Sequence, residues 1–181
     1  LTRFERQARP DVILWAPGHS ATTQVVRMAR RLGWCSPTAD AEWQEPVAIR
    51  DHNEAALRSR GTAWDTGDAA RLMHDFDAAA AAPWIIKEPR FCDLCRHWLP
   101  VWEPYRPTLV HLIRPTDAIQ RSFARRQDRE PDKTVCRGRY VSDVVADSDA
   151  FVSAWPWRKM VVSTGDISAA AALWDADRVA R

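Results

Sequence analysis

The sequence predicts an α/β domain, with a central, mostly parallel sheet flanked by helices in three layers. Three observations lead there. Short apolar runs recur at Asp11–Ala16 (DVILWA), Trp84–Lys87, Thr108–Ile113 (TLVHLI) and Lys159–Ser163 (KMVVS), the length of buried strands. Between them lie segments whose apolar residues repeat at helical spacing. Pro17-Gly18, Pro89 and Pro115 mark joins between the two kinds of segment. Strands alternating with helices imply βαβ units and hence parallel pairing.

Each element follows from its residues. The run Asp11–Ala16 stops at Pro17-Gly18, a strand followed by a turn. Ser20 stands where a helix cap belongs, and the helix runs to about Leu32, closed by Gly33. It places Val25, Met28, Ala29 and Leu32 at i, i+3, i+4 and i+7, one buried stripe. A second helix starts at Pro46 and stops before Gly61. A third covers about Gly67–Ala80, ahead of Pro83. After the strand Trp84–Lys87, residues Phe91, Leu94, Cys95 and Trp98 form another helical stripe. Pro115 opens a helix carrying Ile119, Ser122, Phe123 and Arg126. Beyond Arg126 the one assigned element is the strand Lys159–Ser163. Ligands of such sheets bind beyond the carboxyl ends of the strands, so Gly18–Thr23, Lys87–Arg90 and Arg114 should share one face.

Composition narrows the class. A chain of 181 residues suits one domain, residues 1–181, and hydrophobic and charged shares of 46% and 28% are those of a globular protein. A net charge of +2 is too small to argue for nucleic acid as a partner. Apart from Lys87, Lys133 and Lys159 the basic residues are arginines, a chain-wide bias best read as compositional. No apolar run reaches the length of a membrane span, and residues 1–9 show no signal-peptide h-region. Four cysteines do not form a disulfide scaffold, so the expected compartment is the reducing cytoplasm. Cys92-x-x-Cys95-x-His97 lacks the second pair that structural zinc normally uses, and Cys95 belongs to an apolar stripe, so no metal site is expected. His52, His74 and His111 stand in no motif, and the ten tryptophans are read as core.

The chemistry concentrates at two strand ends. Gly18-His19-Ser20-Ala21-Thr22-Thr23 joins a strand to a helix N-terminus, whose unpaired N–H groups and partial positive charge suit a phosphate. Hydroxyls at Ser20, Thr22 and Thr23 add donors, although such residues also serve as ordinary caps. The third strand ends at Arg114-Pro115, with Ser122 a little over two helical turns on. A guanidinium and a hydroxyl so placed could grip a second phosphate.

On these residues the chain resembles the PAPS-dependent sulfotransferases (PAPS is 3′-phosphoadenosine 5′-phosphosulfate), especially the bacterial sulfotransferase-like branch with its P-loop-like fold. The family's first loop, G-[RK]-S-G-T-[ST], is matched by Gly18–Thr23, and its K-D-P-R by Lys87-Glu-Pro-Arg90. Its R-x-P with later S and R is approached by Arg114-Pro115, Ser122 and Arg126. Glu45, Asn53-Glu54, Leu57, Gly61 and Trp64-Asp65 resemble its E…N-[DE]…L…G…W-[DN] segment. The likeness spans about Val12 to Arg126.

The resemblance implies sulfuryl transfer from PAPS to a hydroxyl or amine of a small-molecule or glycan acceptor, without a metal. Gly18, His19, Ser20, Ala21, Thr22 and Thr23 would hold the 5′-phosphosulfate; Arg114, Ser122 and Arg126 belong to the 3′-phosphate motif. Lys87 would stand by the transferring group, where a fixed cation stabilises charge on the leaving oxygen, and Glu45 is the candidate base. A carboxylate beside Pro46 also suits an ordinary helix start. Two residues depart from the family: His19 replaces Lys or Arg, and Ala21 replaces Gly, whose absent β-carbon lets backbone approach phosphate. A degenerate binding or structural protein on the same fold therefore stays open. A P-loop kinase fits less well, because the loop has no Lys and the TLVHLI strand ends in Arg114 rather than a metal-binding Asp.

His19 sets the first prediction. An imidazole titrates near a pKa of about 6.5, and phosphate favours its cation. Nucleotide binding should weaken between about pH 6 and 8, and His19→Lys should remove that dependence. Identical calorimetric pH profiles for the two proteins would contradict the role.

Overall fold

All four apolar runs form strands of one sheet. The computed structural model describes residues 10–16, 22–81, 83–127, 135–136 and 139–163. In chain order the elements are β1 (Val12–Trp15), α1 (Thr22–Arg31), α2 (Val47–Arg58), α3 (Thr66–Ala79), β2 (Ile85–Lys87) and α4 (Phe91–Trp102). There follow β3 (Thr108–Ile113), α5 (Thr116–Gln127), β4 (Val135–Cys136), β5 (Arg139–Tyr140), α6 (Val141–Ser153) and β6 (Lys159–Ser163). The main sheet has the order β2-β1-β3-β6 and every pairing in it is parallel. Val12 lies opposite Ile85 and Thr108, and Ile113 opposite Ser163, so the four carboxyl ends share one edge. β1 has β2 on one side and β3 on the other, which makes its carboxyl end the switch point of the sheet. β4 and β5 form a separate antiparallel pair.

Strand alternation divides the core in two. Val12 and Leu14 face α1 and pack with Val25, Val26, Ala29, Ile85, Val110, Leu112 and Val162. Ile13 and Trp15 face the other way, into a cluster built from α2, α3, α4, α5 and α6. The result is the three-layer α/β architecture read from the sequence. That second layer is rich in indoles: Trp15, Trp84, Trp98 and Trp102 are fully buried. Three of them place their N–H groups on side-chain oxygens, Trp15 on Ser148 (2.6 Å), Trp84 on Asp77 (2.9 Å) and Trp98 on Asn53 (2.7 Å). A buried indole N–H usually takes such a partner, and that of Trp102 has none among the described residues.

Local signals set most boundaries. Gly33 (φ 99°) ends α1, its N–H reaching Arg30 O and that of Trp34 reaching Ala29 O. Pro46 precedes α2, and Gly61 (φ 86°) donates to Ala56 O just beyond the helix. Asp65 caps α3 by accepting from Asp68 N. The expected cap at Ser20 lies outside the described residues. Besides the short β4 and β5, α6 is the element that the sequence did not announce. Val141, Val144, Ser148 and Val152 form its buried side, yet valine, serine and aspartate are poor helix formers. Packing against α4 and α5, not propensity, decides that segment. Among the described residues no helix is long and apolar enough to cross a membrane.

Ile13, at the centre of the sheet and fully buried, should be among the costliest positions to truncate. Ile13→Ala is expected to cost about 2–5 kcal/mol by urea denaturation with an unchanged m-value. Val161→Ala on exposed β6 should stay within about 0.5 kcal/mol.

Candidate functional site

Lys87 closes β2 opposite Leu14 of β1, so its side chain lies on the α1 face of the sheet. It is a buried lysine, with 4% of its side chain exposed. Its ammonium donates to Glu45 Oε1 (2.8 Å), Trp43 O (2.8 Å) and Thr23 Oγ1 (3.3 Å). Thr23 lies in the first turn of α1 and itself donates to Trp43 O at 3.2 Å. The switch point thus gathers a helix start, a cation and a carboxylate.

A strained loop aims Glu45 and Trp43 at Lys87. Gln44 has a left-handed backbone (φ 60°) with a side chain that ordinarily avoids it. Its amide group compensates by donating to Asp40 O and Ala41 O, and Arg30 of α1 donates to its Oε1 at 2.6 Å. The Asp40 carboxylate accepts from Trp43 N and pairs with Arg50 at 3.4 Å. Burial pushes Asp40 up, but backbone N–H donors at Trp43, Glu45 and Gln44 hold it below the ordinary carboxyl value.

Arg90 completes the cluster. At the turn into α4 it donates to Glu45 Oε2 (3.1 Å), to Glu88 Oε1 (2.9 Å) and to Glu54 Oε1 (2.6 Å). The Glu88 side chain is fully buried, and burial pushes its carboxyl up against the pull of Arg90. Lys87 and Arg90 thus meet three carboxylates, of which Glu54 also pairs with Arg58 at 2.7 Å. Glu45 lies at the centre of the cluster with one oxygen on each cation.

A second feature lies across β1. At the carboxyl end of β3 a cavity of about 200 Å³ opens between α5 and α6, lined in part by His111, Arg114, Thr116, Ser148 and Asp149. His111 Nε2 stands 3.5 Å from Asp149 Oδ1, and burial lowers the imidazole pKa while Asp149 pulls it up. Arg114, expected at the second phosphate site, lines this cavity. Ser122 and Arg126 stand on α5. Gly18, His19, Ser20 and Ala21 lie outside the described residues. Of the first loop, Thr22 is buried and Thr23 touches the Lys87 network.

The other members of the family-like segment have structural tasks. Asn53 is buried and accepts from Trp98, Trp64 packs on His52, His97 and Trp98, and Asp65 caps α3. Cys92 is buried against Ser148, consistent with a core cysteine. Sequence reasoning gave no role to Arg90, Glu88, Glu54 or the Trp43 carbonyl. The lysine and arginine three residues apart at a strand end were the available signal. Compared with known protein families, curated proteins and solved structures, the chain matches none.

Arg90→Ala should be far more damaging than loss of a surface arginine, since it strips the cation from a buried carboxylate. A cost of about 3–5 kcal/mol in urea denaturation is expected. Arg58→Ala, which breaks only the exposed pair with Glu54, should leave the midpoint nearly unchanged.

Proposed function

We propose that the chain binds PAPS along the carboxyl edge of its sheet and transfers the sulfuryl group to a hydroxyl or amine acceptor. The observation that carries this reading is the contact of buried Lys87 with Thr23. It joins the end of β2 to the first turn of α1 beside the switch point. A helix N-terminus with an adjacent desolvated ammonium is a site for an anion whose charge changes during reaction. Arg114, in the cavity across β1, suits a second phosphate. A bisphosphorylated nucleotide needs both positions.

The donor supplies an activated sulfuryl group with a phosphate as leaving group. In-line attack by the acceptor oxygen or nitrogen forms its bond to sulfur as the sulfur–phosphate oxygen bond breaks. The electron pair leaves with the phosphate, next to which Lys87 stabilises the growing charge. The acceptor proton goes to Glu45. The 5′ side is assigned, from the resemblance alone, to the loop amides and His19, which lie outside the described residues.

One observation favours a second reading, a binding or structural protein on the same fold. Lys87 is already paired with Glu45, so its charge is met within the fold. Calorimetric titration separates the two. Adenosine 3′,5′-bisphosphate should bind with micromolar affinity, ATP with Mg²⁺ should not match it, and Arg114→Ala should weaken it at least about ten-fold. A folded protein that binds no bisphosphate would leave only the second reading.

A further inference from the structure

Two proposed roles meet in one ion pair. Lys87 is to serve the donor and Glu45 the acceptor, yet each is bonded to the other at 2.8 Å. The two sides of Glu45 are held unequally. On Oε2, Arg90 is itself fixed by the fully buried Glu88 and by Glu54, so it keeps its place. On Oε1, Lys87 hangs on a flexible four-carbon stem, and its longest contact, to Thr23, points toward α1. If the ammonium moves toward Thr23, Glu45 keeps one cation and stays in position. If Glu45 is neutralised, Lys87 keeps only the neutral acceptors Trp43 O and Thr23 Oγ1 among these contacts.

We infer that Glu45 and an anion at the first turn of α1 compete for Lys87, with Arg90 as the positioning residue that holds Glu45 in place when the ammonium leaves. The inference rests on the nucleotide-binding reading above and adds an order to it. Without donor, the carboxylate is neutralised by Lys87. With donor bound, Lys87 passes to the anion and Glu45 Oε1 becomes able to accept a proton. The base is thus available only in the loaded site.

Binding of adenosine 3′,5′-bisphosphate tests the competition, with circular dichroism as the folding check. Glu45→Gln should tighten binding about ten-fold, since the competing charged hydrogen bond is gone. Glu54→Gln removes the same charge from Arg90 without touching Lys87, and should change affinity less than about three-fold. In the Lys87→Met background, Glu45→Gln should give no tightening. Unchanged or weaker binding by folded Glu45→Gln, or equal tightening by Glu54→Gln, would overturn the inference. Wild-type protein gives an independent readout, because the chain has only three lysines. In ¹³C-lysine spectra, the Lys87 signal, assigned with Lys87→Arg, should shift on adding bisphosphate. Binding without that shift refutes the exchange alone; no binding in any variant refutes the nucleotide reading as well.

Discussion

Glu45 between Lys87 and Arg90 is the interaction on which the carboxyl edge of this protein depends. Its partners come from separate parts of the chain: the loop before α2, the end of β2, the turn into α4, α2 through Glu54 and α1 through Thr23. Each of these groups costs free energy to remove from water, and the cost is met only when all are paired. The cluster therefore couples elements that hydrophobic contact alone would leave free to slide. The left-handed Gln44 lies between the two residues, Trp43 and Glu45, that meet on one ammonium. Strain of this kind, about 1–3 kcal/mol, persists where the surroundings over-determine the backbone.

The apolar layers explain why the cluster sits at an edge. Ile13 and Trp15 point into the tryptophan-rich layer, and Val12 and Leu14 into the layer of α1. Lys87 falls in the α1 register, so its long side chain runs along that layer before its charge reaches Thr23. In the other layer stacked and edge-on rings link Trp98, Trp102, Phe91 and Trp15. Ser148 and Asn53 supply oxygens for two of the indoles, which ties α6 and α2 to the sheet and to α4. Those polar contacts give direction to a core that apolar area alone would leave degenerate in orientation.

Legibility in the sequence followed the range of each signal. The strand Thr108–Ile113 was readable to the residue, because an apolar run bounded by Pro107 and Pro115 leaves one choice. α2 was readable through Pro46 and Gly61 and α3 through its position ahead of Pro83, whereas the Asp65 cap emerged only in the structure. α6 was not, because its composition opposes a helix and only its contacts make one. At the site, Lys87 and Glu45 were singled out as separate candidates. Their union was hidden by a separation of 42 positions along the chain. Arg90 was quoted within a motif, yet a guanidinium bridging three carboxylates is a property of the fold and not of local spacing.

By itself the sequence determined the class of fold, the strand positions, most helix ends and the crowding of chemically able residues beyond strand ends. These are local consequences of side-chain periodicity, of glycine and proline dihedrals and of capping. The tertiary structure alone decided the strand order, the face on which Lys87 emerges and the pairing of that lysine with Glu45. The reason is physical: a buried charge takes the partner that folding brings within about 3 Å, and distance along the chain says nothing about that.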